Sequence, residues 1–271
     1  MKVLLFGSTG HLGRLLLDAL RGHDVRALAR ADADLRDREA VRRAVEAWNP
    51  EAVVLAAGLA SADACEDHPG DAYAVNVDGA RNAAEASRGR AFLHFSTDHV
   101  FDGKSGPYAE EDRPNPMSVY GRTKLESERI VLTVNPRSLV VRTSLVWSRT
   151  GKSFFTSLLA AKEPLPCWTD HFGTYTYGPS LARAAVELLE AGGRGLWHLA
   201  GTELLNRHEF AIKVAGRLGL DPSLFRPASI HDAPPRAPRP LRAGLRVDRA
   251  QAALRVRLPS TDEALEAART A

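Results

Sequence analysis

The chain has 271 residues, of which 44% are hydrophobic and 25% are charged, with a net charge of +3. Acidic residues are interspersed among the basic ones, as in residues 34–39, and no basic run with interleaved aromatic residues appears, which disfavours a nucleic-acid-binding protein. The apolar runs are far shorter than the ~20 residues that span a bilayer, and the N-terminal run is shorter than that of a signal peptide, so we expect a cytoplasmic protein with no membrane partner.

Strand-like and helix-like segments alternate through the first half of the chain. Residues 3–6 form a continuous apolar run, which is typical of a strand buried on both faces. Such alternation predicts an α/β fold with a doubly wound, Rossmann-like parallel sheet, whose ligands lie beyond the carboxyl ends of the strands. The predicted strands are 3–6, 25–29, 53–57, 92–95 and 139–141, and the predicted helices between them are 12–20, 38–48, 71–86 and 120–131.

The second half of the chain has a less regular pattern. It predicts helices at 154–161, 180–191, 207–218 and 261–268, and an extended Pro/Arg-rich loop at 233–240. We therefore predict a dinucleotide-binding domain over residues 1–145. Residues 146–271 are expected to form mainly a small C-terminal substrate lobe, from which about 174–200 return to the sheet.

Three glycines, Gly7, Gly10 and Gly13, lie between the first predicted strand and its helix. A residue without a Cβ atom is needed for each of three features: a tight strand-to-helix turn, a pyrophosphate close to the backbone, and a helix packed closely on the sheet. The amino terminus of the helix then offers amide donors to phosphate groups. The spacing predicts a dinucleotide-binding loop, with a purely structural tight turn as the alternative.

Arg30 follows the second predicted strand, where the adenosine ribose of a bound dinucleotide would lie. An acidic residue there accepts a hydrogen bond from the 2′-hydroxyl of NAD, whereas an arginine pairs with the 2′-phosphate of NADP. Arg30 therefore favours NADPH over NADH. The alternative is that Arg30 is an ordinary solvated side chain.

Tyr120 and Lys124 lie one helical turn apart and so on one face of a predicted helix. A free tyrosine has a pKa of about 10, which a nearby ammonium lowers toward the neutral range. Ser96 and Thr97 end the preceding strand, so a hydroxyl at this edge can hold a substrate carbonyl while Tyr120 donates its proton and a nicotinamide donates hydride. These residues predict a reductase.

Other chemistries have little support in the sequence. The histidines form no pair at metal-ligand spacing, so no metal site is predicted. Ser96 lacks the Gly-x-Ser-x-Gly setting of a hydrolase nucleophile. Cys65 and Cys167 have no CxxC spacing and are interpreted as free thiols.

Taken together, these motifs resemble the extended short-chain dehydrogenase/reductases, and within them the dTDP-4-dehydrorhamnose reductases. The resemblance extends over nearly the whole chain, and the block from Ser96 to Lys124 is its most specific part. The matching segments include 63–66, 72–76, 95–103, 107–108, 115–124, 141–144, 151–154, 170–174 and 195–201.

The resemblance implies NADPH- or NADH-dependent reduction of a 4-keto sugar linked to a nucleoside diphosphate. It assigns catalysis to Thr97, Tyr120 and Lys124. A dehydratase is disfavoured, because His99 stands where that branch has a glutamate. The cofactor-binding residues expected from the loop and the resemblance together are Gly7, Thr9, Gly10, His11, Leu12, Gly13, Arg30, Asp34, Leu35, Ala56, Ala57, Gly58, Asn76, Tyr120 and Lys124.

The departures from the family pattern fall near the expected sugar pocket. Leu145 replaces a tryptophan, with Trp147 following two residues later, and Tyr175 replaces a proline. His99 and His171 replace a tyrosine and a glutamine. The type of reaction is therefore better determined by the sequence than the identity of the sugar substrate. The expected substrate-binding residues are Thr97, Asp98, His99, Trp147 and His171.

Two alternative functions remain open at this point. One is a non-catalytic NAD(P)-binding regulatory subunit, like that of methionine adenosyltransferase, and the other is a reductase or epimerase of a different sugar or carbonyl compound. A homodimer is one expectation for the oligomeric state. The sequence determines neither that state nor any role of a divalent metal in assembly. The intact Thr97, Tyr120 and Lys124 favour an enzyme.

Overall fold

Six parallel strands form the central sheet of the computed structural model, which describes residues 1–270. The strands are β1 (Lys2–Phe6), β2 (Asp24–Leu28), β3 (Ala52–Leu55), β4 (Ala91–Thr97), β5 (Ser138–Thr143) and β10 (Gly195–His198). Their order across the sheet is β2-β1-β3-β4-β5-β10. The chain leaves β1 toward β2 on one side and returns to β3 on the other, so the switch point where such folds bind ligands lies between β1 and β3.

Helices cover both faces of the sheet because successive side chains of each strand point to opposite sides. On β1, Val3 and Leu5 pack in one core, whereas Leu4 and Phe6 pack in another. The first core includes residues of α1 (His11–Ala19) and α8 (Gly178–Glu190), and the second includes residues of α2 (Arg38–Trp48) and α5 (Gly79–Ala86). The predicted doubly wound α/β sheet is confirmed.

The third predicted helix is interrupted by a π-helical turn. It comprises α4 (Pro69–Tyr73), the π turn (Ala74–Asp78) and α5. Within the turn, the Asn76 amide pairs with the backbone of Leu59, accepting from its N–H at 2.8 Å and donating to its carbonyl at 3.0 Å. Such turns are frequent at functional sites, and this one fixes the segment that follows β3.

Most of the C-terminal residues form a lobe around a separate aromatic core. Trp147, Phe155 and Phe210 are fully buried in it. Three two-stranded ribbons frame this core: β6 (Val146–Trp147) with β9 (Thr176–Tyr177), β7 (Leu165–Trp168) with β12 (Phe225–Ala228), and β8 (Phe172–Thr174) with β11 (Leu204–Asn206). In chain order, α8 and β10 come between β9 and β11, and both belong to the central sheet and the helices that cover it. The domain boundary at residue 145 stays a prediction.

The elements not yet named are helices and short helical turns. They are α3 (Ala62–Asp67), a 3₁₀ turn (Asp98–Val100), α6 (Val119–Val134), α7 (Phe154–Leu159), α9 (Arg207–Leu218), a second 3₁₀ turn (Pro222–Leu224), α10 (Asp248–Ala253) and α11 (Thr261–Thr270). None of the helices described in residues 1–270 has the length and apolarity needed to cross a membrane. Cys65 and Cys167 are buried free thiols.

Candidate active site

Two adjoining cavities lie at the carboxyl edge of the sheet, beside the switch point. One, of about 290 Å³, is lined by Gly7, Arg30 and Asp34, and the other, of about 300 Å³, by Tyr120 and Lys124. Five residues line both cavities: Gly10, Ala56, Ala57, Gly58 and Leu59. Of the predicted cofactor residues, all except Gly13 line one of these cavities.

The glycine loop has the close approaches that a dinucleotide site requires. Gly7 has a φ of +84°, and a Cβ on it would lie 2.6 Å from the backbone nitrogen of Ala57. A Cβ on Gly13 would overlap the carbonyl oxygen of Gly7, so Gly13 serves helix packing rather than ligand contact. Gly10 caps α1 without any side-chain hydrogen bond, which leaves the first amides of the helix available to phosphate oxygens.

We expect Gly13→Ala to weaken NADPH binding at least tenfold and to destabilise the fold by about 1–3 kcal/mol, because α1 must move away from the loop. Gly216→Ala is the matched control, since a Cβ there has nothing within 4 Å. Fluorescence titration with NADPH and urea unfolding measure the two effects. Wild-type affinity and stability in Gly13→Ala would show that the close packing of α1 is not needed.

Charged side chains surround the end of the cavity next to β2. Asp34 accepts hydrogen bonds from Arg36 Nη2 at 2.7 Å and from Arg30 Nε at 3.2 Å. The Arg36 hydrogen bonds hold the pKa of Asp34 well below its usual range. Arg30 therefore lines the cavity as part of a two-arginine cluster. Arg36 is not among the residues predicted from the sequence, because nothing in the local pattern shows that it turns back onto Asp34.

The catalytic pair is positioned by the start of α6. Ser118 Oγ accepts from Gly121 N at 3.2 Å and so begins the helix immediately before Tyr120. A Cβ on Gly121 would overlap the carbonyl oxygen of His99, so the glycine lets α6 approach the end of β4. The Tyr120 ring lies edge-on to His99, with 5.4 Å between ring centroids. Tyr120 and Lys124 thus share one cavity at the strand end.

The electrostatics of this pair differ from the sequence prediction in one respect. Burial raises the pKa of Tyr120, and it is the Thr97 side chain whose hydrogen bond lowers it. Lys124 does not contribute to this lowering in the protein without ligands, and its ammonium Nζ donates to His94 Nε2 at 3.3 Å. Burial lowers the pKa of Lys124 to about 8, so the lysine still has its charge at neutral pH.

His94 is a positioning residue that the sequence analysis missed. It is fully buried on β4, and burial followed by the nearby Lys124 lowers the pKa of its imidazole well below the usual value. The neutral ring can therefore accept from Lys124, while Ser127 Oγ lies 2.9 Å from the same nitrogen. In the sequence, the only sign of this positioning role is a histidine within a predicted apolar strand.

Asp98 orients the Thr97 hydroxyl. Thr97 Oγ1 donates to Asp98 Oδ1 at 3.1 Å and accepts from the His99 amide at 3.2 Å. The second carboxylate oxygen of Asp98 accepts from Ser144 Oγ at 2.6 Å. Burial raises the pKa of Asp98 to about 6. Asp98, predicted from the sequence to bind substrate, thus contacts Thr97 and Ser144 directly.

The other expected substrate residues lie in different surroundings. His99 and His171 are near Arg239, and burial lowers their pKa values to about 3 and about 4. Trp147 lies in the lobe core and lines a third cavity rather than the one with Tyr120. Within residues 1–270 no group of three or more His, Cys, Asp or Glu side chains is arranged to hold a metal ion.

A doubly wound sheet, a glycine loop at its switch point and a tyrosine–lysine pair at the next strand end define an extended short-chain dehydrogenase/reductase. Comparison with known families gives the assignment within this class. The model of the RmlD substrate binding domain matches residues 1–270, and the chain belongs to that family.

Individual relatives agree with this assignment. A dTDP-4-dehydrorhamnose reductase of Sinorhizobium fredii is 34% identical over 97% of this chain and 95% of its own length. The crystal structure of a dTDP-4-dehydrorhamnose reductase from Bacillus anthracis in complex with NADP superposes with a TM-score of 0.94 at 26% identity, covering 100% of this chain and 99% of that one. The methionine adenosyltransferase 2 subunit beta of Danio rerio is 30% identical over 92% of this chain and 83% of its own length.

Proposed function

We propose that this protein reduces the 4-keto group of dTDP-4-dehydrorhamnose with NADPH. The observation that supports it most strongly is the meeting of Tyr120 and Lys124 in one cavity that adjoins the glycine loop, with the Thr97 side chain hydrogen-bonded to the Tyr120 phenol. The similarity to reductases of this activity, one of them crystallised with NADP, supports the substrate and the cofactor.

The residues present fit a dinucleotide. Gly7, Gly10 and the free amides of α1 would hold the pyrophosphate, and Arg30 with Arg36 would hold a 2′-phosphate. This last pair favours NADPH over NADH. The remaining proposed cofactor residues are Thr9, His11, Leu12, Asp34, Leu35, Ala56, Ala57, Gly58 and Asn76.

NADPH, when bound, supplies the hydride that is added to the carbonyl carbon. Tyr120 donates its phenolic proton to the carbonyl oxygen, which converts the ketone to an alcohol. To hold that oxygen, the Thr97 hydroxyl would turn its one proton from Asp98 Oδ1 to the carbonyl, while the His99 amide still donates to Thr97 Oγ1. Once NADPH and the sugar exclude water from the cavity, Lys124 is the cation placed to stabilise the phenolate left on Tyr120, which then recovers a proton from solvent.

The test is a turnover assay with purified protein, dTDP-4-dehydrorhamnose and either NADPH or NADH. We expect loss of NADPH absorbance in step with formation of dTDP-rhamnose, identified by mass spectrometry and NMR. A lower KM for NADPH than for NADH would support the role of Arg30 and Arg36. If NADPH binds but no keto sugar is reduced, the proposal is wrong.

The second candidate is a non-catalytic NADP-binding regulatory subunit. The similarity to the methionine adenosyltransferase 2 subunit beta favours it. Cofactor binding without turnover, together with co-purification of an enzyme subunit, would support this function over the first. The buried and hydrogen-bonded Thr97 and Lys124 favour catalysis, because a binding subunit does not need them. The homodimer stays a prediction of the sequence.

A further inference from the structure

A third cavity, of about 150 Å³, lies in the wall of the lobe between Trp147, Tyr175 and Arg207. Val146 lines both this cavity and the one that contains Tyr120, so the two adjoin. A volume of 150 Å³ exceeds the roughly 30 Å³ that a water molecule takes up in the liquid. The space therefore suits a group of several atoms.

Arg207 is a largely buried cation that lacks an acidic partner. No carboxylate in the described part of the chain lies within 4.0 Å of its guanidinium, and its Nε has no hydrogen-bond acceptor. The guanidinium instead lies over the rings of Trp168 and Phe154, at 4.0 Å and 4.9 Å from their centroids. Ring contacts offset only part of the cost of removing an arginine from water, so an anion at this place would be strongly favoured.

The other polar side-chain groups of the cavity wall are donors as well. Tyr175 is 3% exposed and Trp147 is 1% exposed, and neither the Tyr175 hydroxyl nor the Trp147 Nε1–H has a hydrogen-bond partner among the described residues. Guanidinium and indole groups cannot accept hydrogen bonds, and a phenol readily donates one. Three unpaired donors around one small cavity match a ligand with several acceptor oxygens and a negative charge.

We propose that Arg207, Tyr175 and Trp147 form an oxyanion subsite for the nucleotide-sugar substrate. This inference rests on the proposed function and adds to it a specificity-determining contact. The shared chemistry is an anionic group with two or more free oxygens, and its source is either the diphosphate or an acidic substituent on the sugar. Tyr175 is one of the positions at which this chain departs from the reductase pattern, so the subsite distinguishes it within the family.

Tryptophan fluorescence reports on this subsite directly, because Trp168 stacks on Arg207 and Trp147 lines the cavity. We would titrate the wild type, Arg207→Gln, Arg207→Lys and Tyr175→Phe with inorganic pyrophosphate, dTDP, thymidine and glucuronate. Arg226→Gln is the control, since Arg226 is an exposed arginine of the same lobe on β12. Thermal unfolding of each variant verifies that it is folded.

We expect Arg207→Gln to weaken the binding of the anionic probe about a hundredfold, and Tyr175→Phe about tenfold. Arg207→Lys should restore part of the affinity, and Arg226→Gln should bind like the wild type. Binding of pyrophosphate and dTDP but not thymidine assigns the diphosphate as the source, whereas binding of glucuronate alone assigns a sugar carboxylate. The subsite would be wrong if Arg207→Gln and Tyr175→Phe both bind every probe as tightly as the wild type does. It would also be wrong if none of the proteins binds any probe.

The titration separates this inference from the proposed function, because it requires neither NADPH nor turnover. Arg207-dependent binding of the anions in a protein that reduces no keto sugar would contradict the proposed reaction alone. In an active enzyme, Arg207→Gln should raise the KM for the nucleotide sugar with little change in kcat. An unchanged KM would contradict the subsite while leaving the reductase intact.

Discussion

Tyr120→Phe should lower kcat by about 10²–10⁴-fold while NADPH binds as tightly as in the wild type. The substitution removes only the phenolic hydroxyl, which is the proposed proton donor. The ring remains, and with it the edge-on contact with His99 at 5.4 Å. The loss should therefore appear in the chemical step and leave the cofactor and the surrounding packing unchanged.

Steady-state kinetics with dTDP-4-dehydrorhamnose and a fluorescence titration with NADPH measure these two effects. Tyr73→Phe is the matched control, because Tyr73 is 39% exposed and lines neither of the two cavities at the strand ends. It should have wild-type kcat and affinity. Turnover near the wild-type rate in Tyr120→Phe would rule out the assigned proton donor.

Glu128→Gln should cost about 3–5 kcal/mol of the free energy of unfolding, because it leaves a charged arginine buried without its partner. Glu128 on α6 accepts from Arg142 on β5 through two hydrogen bonds of 2.9 Å and 2.7 Å, and both side chains are at most 4% exposed. Glu128 also raises the pKa of Lys124. Loss of the carboxylate should therefore lower the pKa of Lys124 below about 8, so that the ammonium loses its proton at a lower pH.

Urea unfolding gives the change in stability, and the pH dependence of kcat gives the change at Lys124. The control is Glu46→Gln, which breaks an exposed helix-surface pair with Arg42 and should cost no more than about 0.5 kcal/mol. The double variant Glu128→Leu with Arg142→Met should regain much of the lost stability, since it buries no unpaired charge. A cost below about 1 kcal/mol for Glu128→Gln would mean that the pair is not sequestered from water.

The sheet could be predicted from the sequence because its signals are local. The apolar run of β1 and the helical spacing of α1 each depend on neighbouring residues, and Gly7, Gly10 and Gly13 mark the turn between them. The π turn within the third helix could not be predicted, because it coincides with a hydrogen-bonded pair between Asn76 and Leu59, which are distant in sequence.

For the site, the sequence by itself determined the spacing of Tyr120 and Lys124, because four residues along a helix return to the same face. Only the tertiary structure decided what surrounds them. His94 holds Lys124, Asp98 holds Thr97, and Arg207 lies without a carboxylate beside an adjoining cavity. These contacts join residues from separate elements, and burial, which shifts the pKa values of Tyr120 and Lys124, exists only once those elements have packed together.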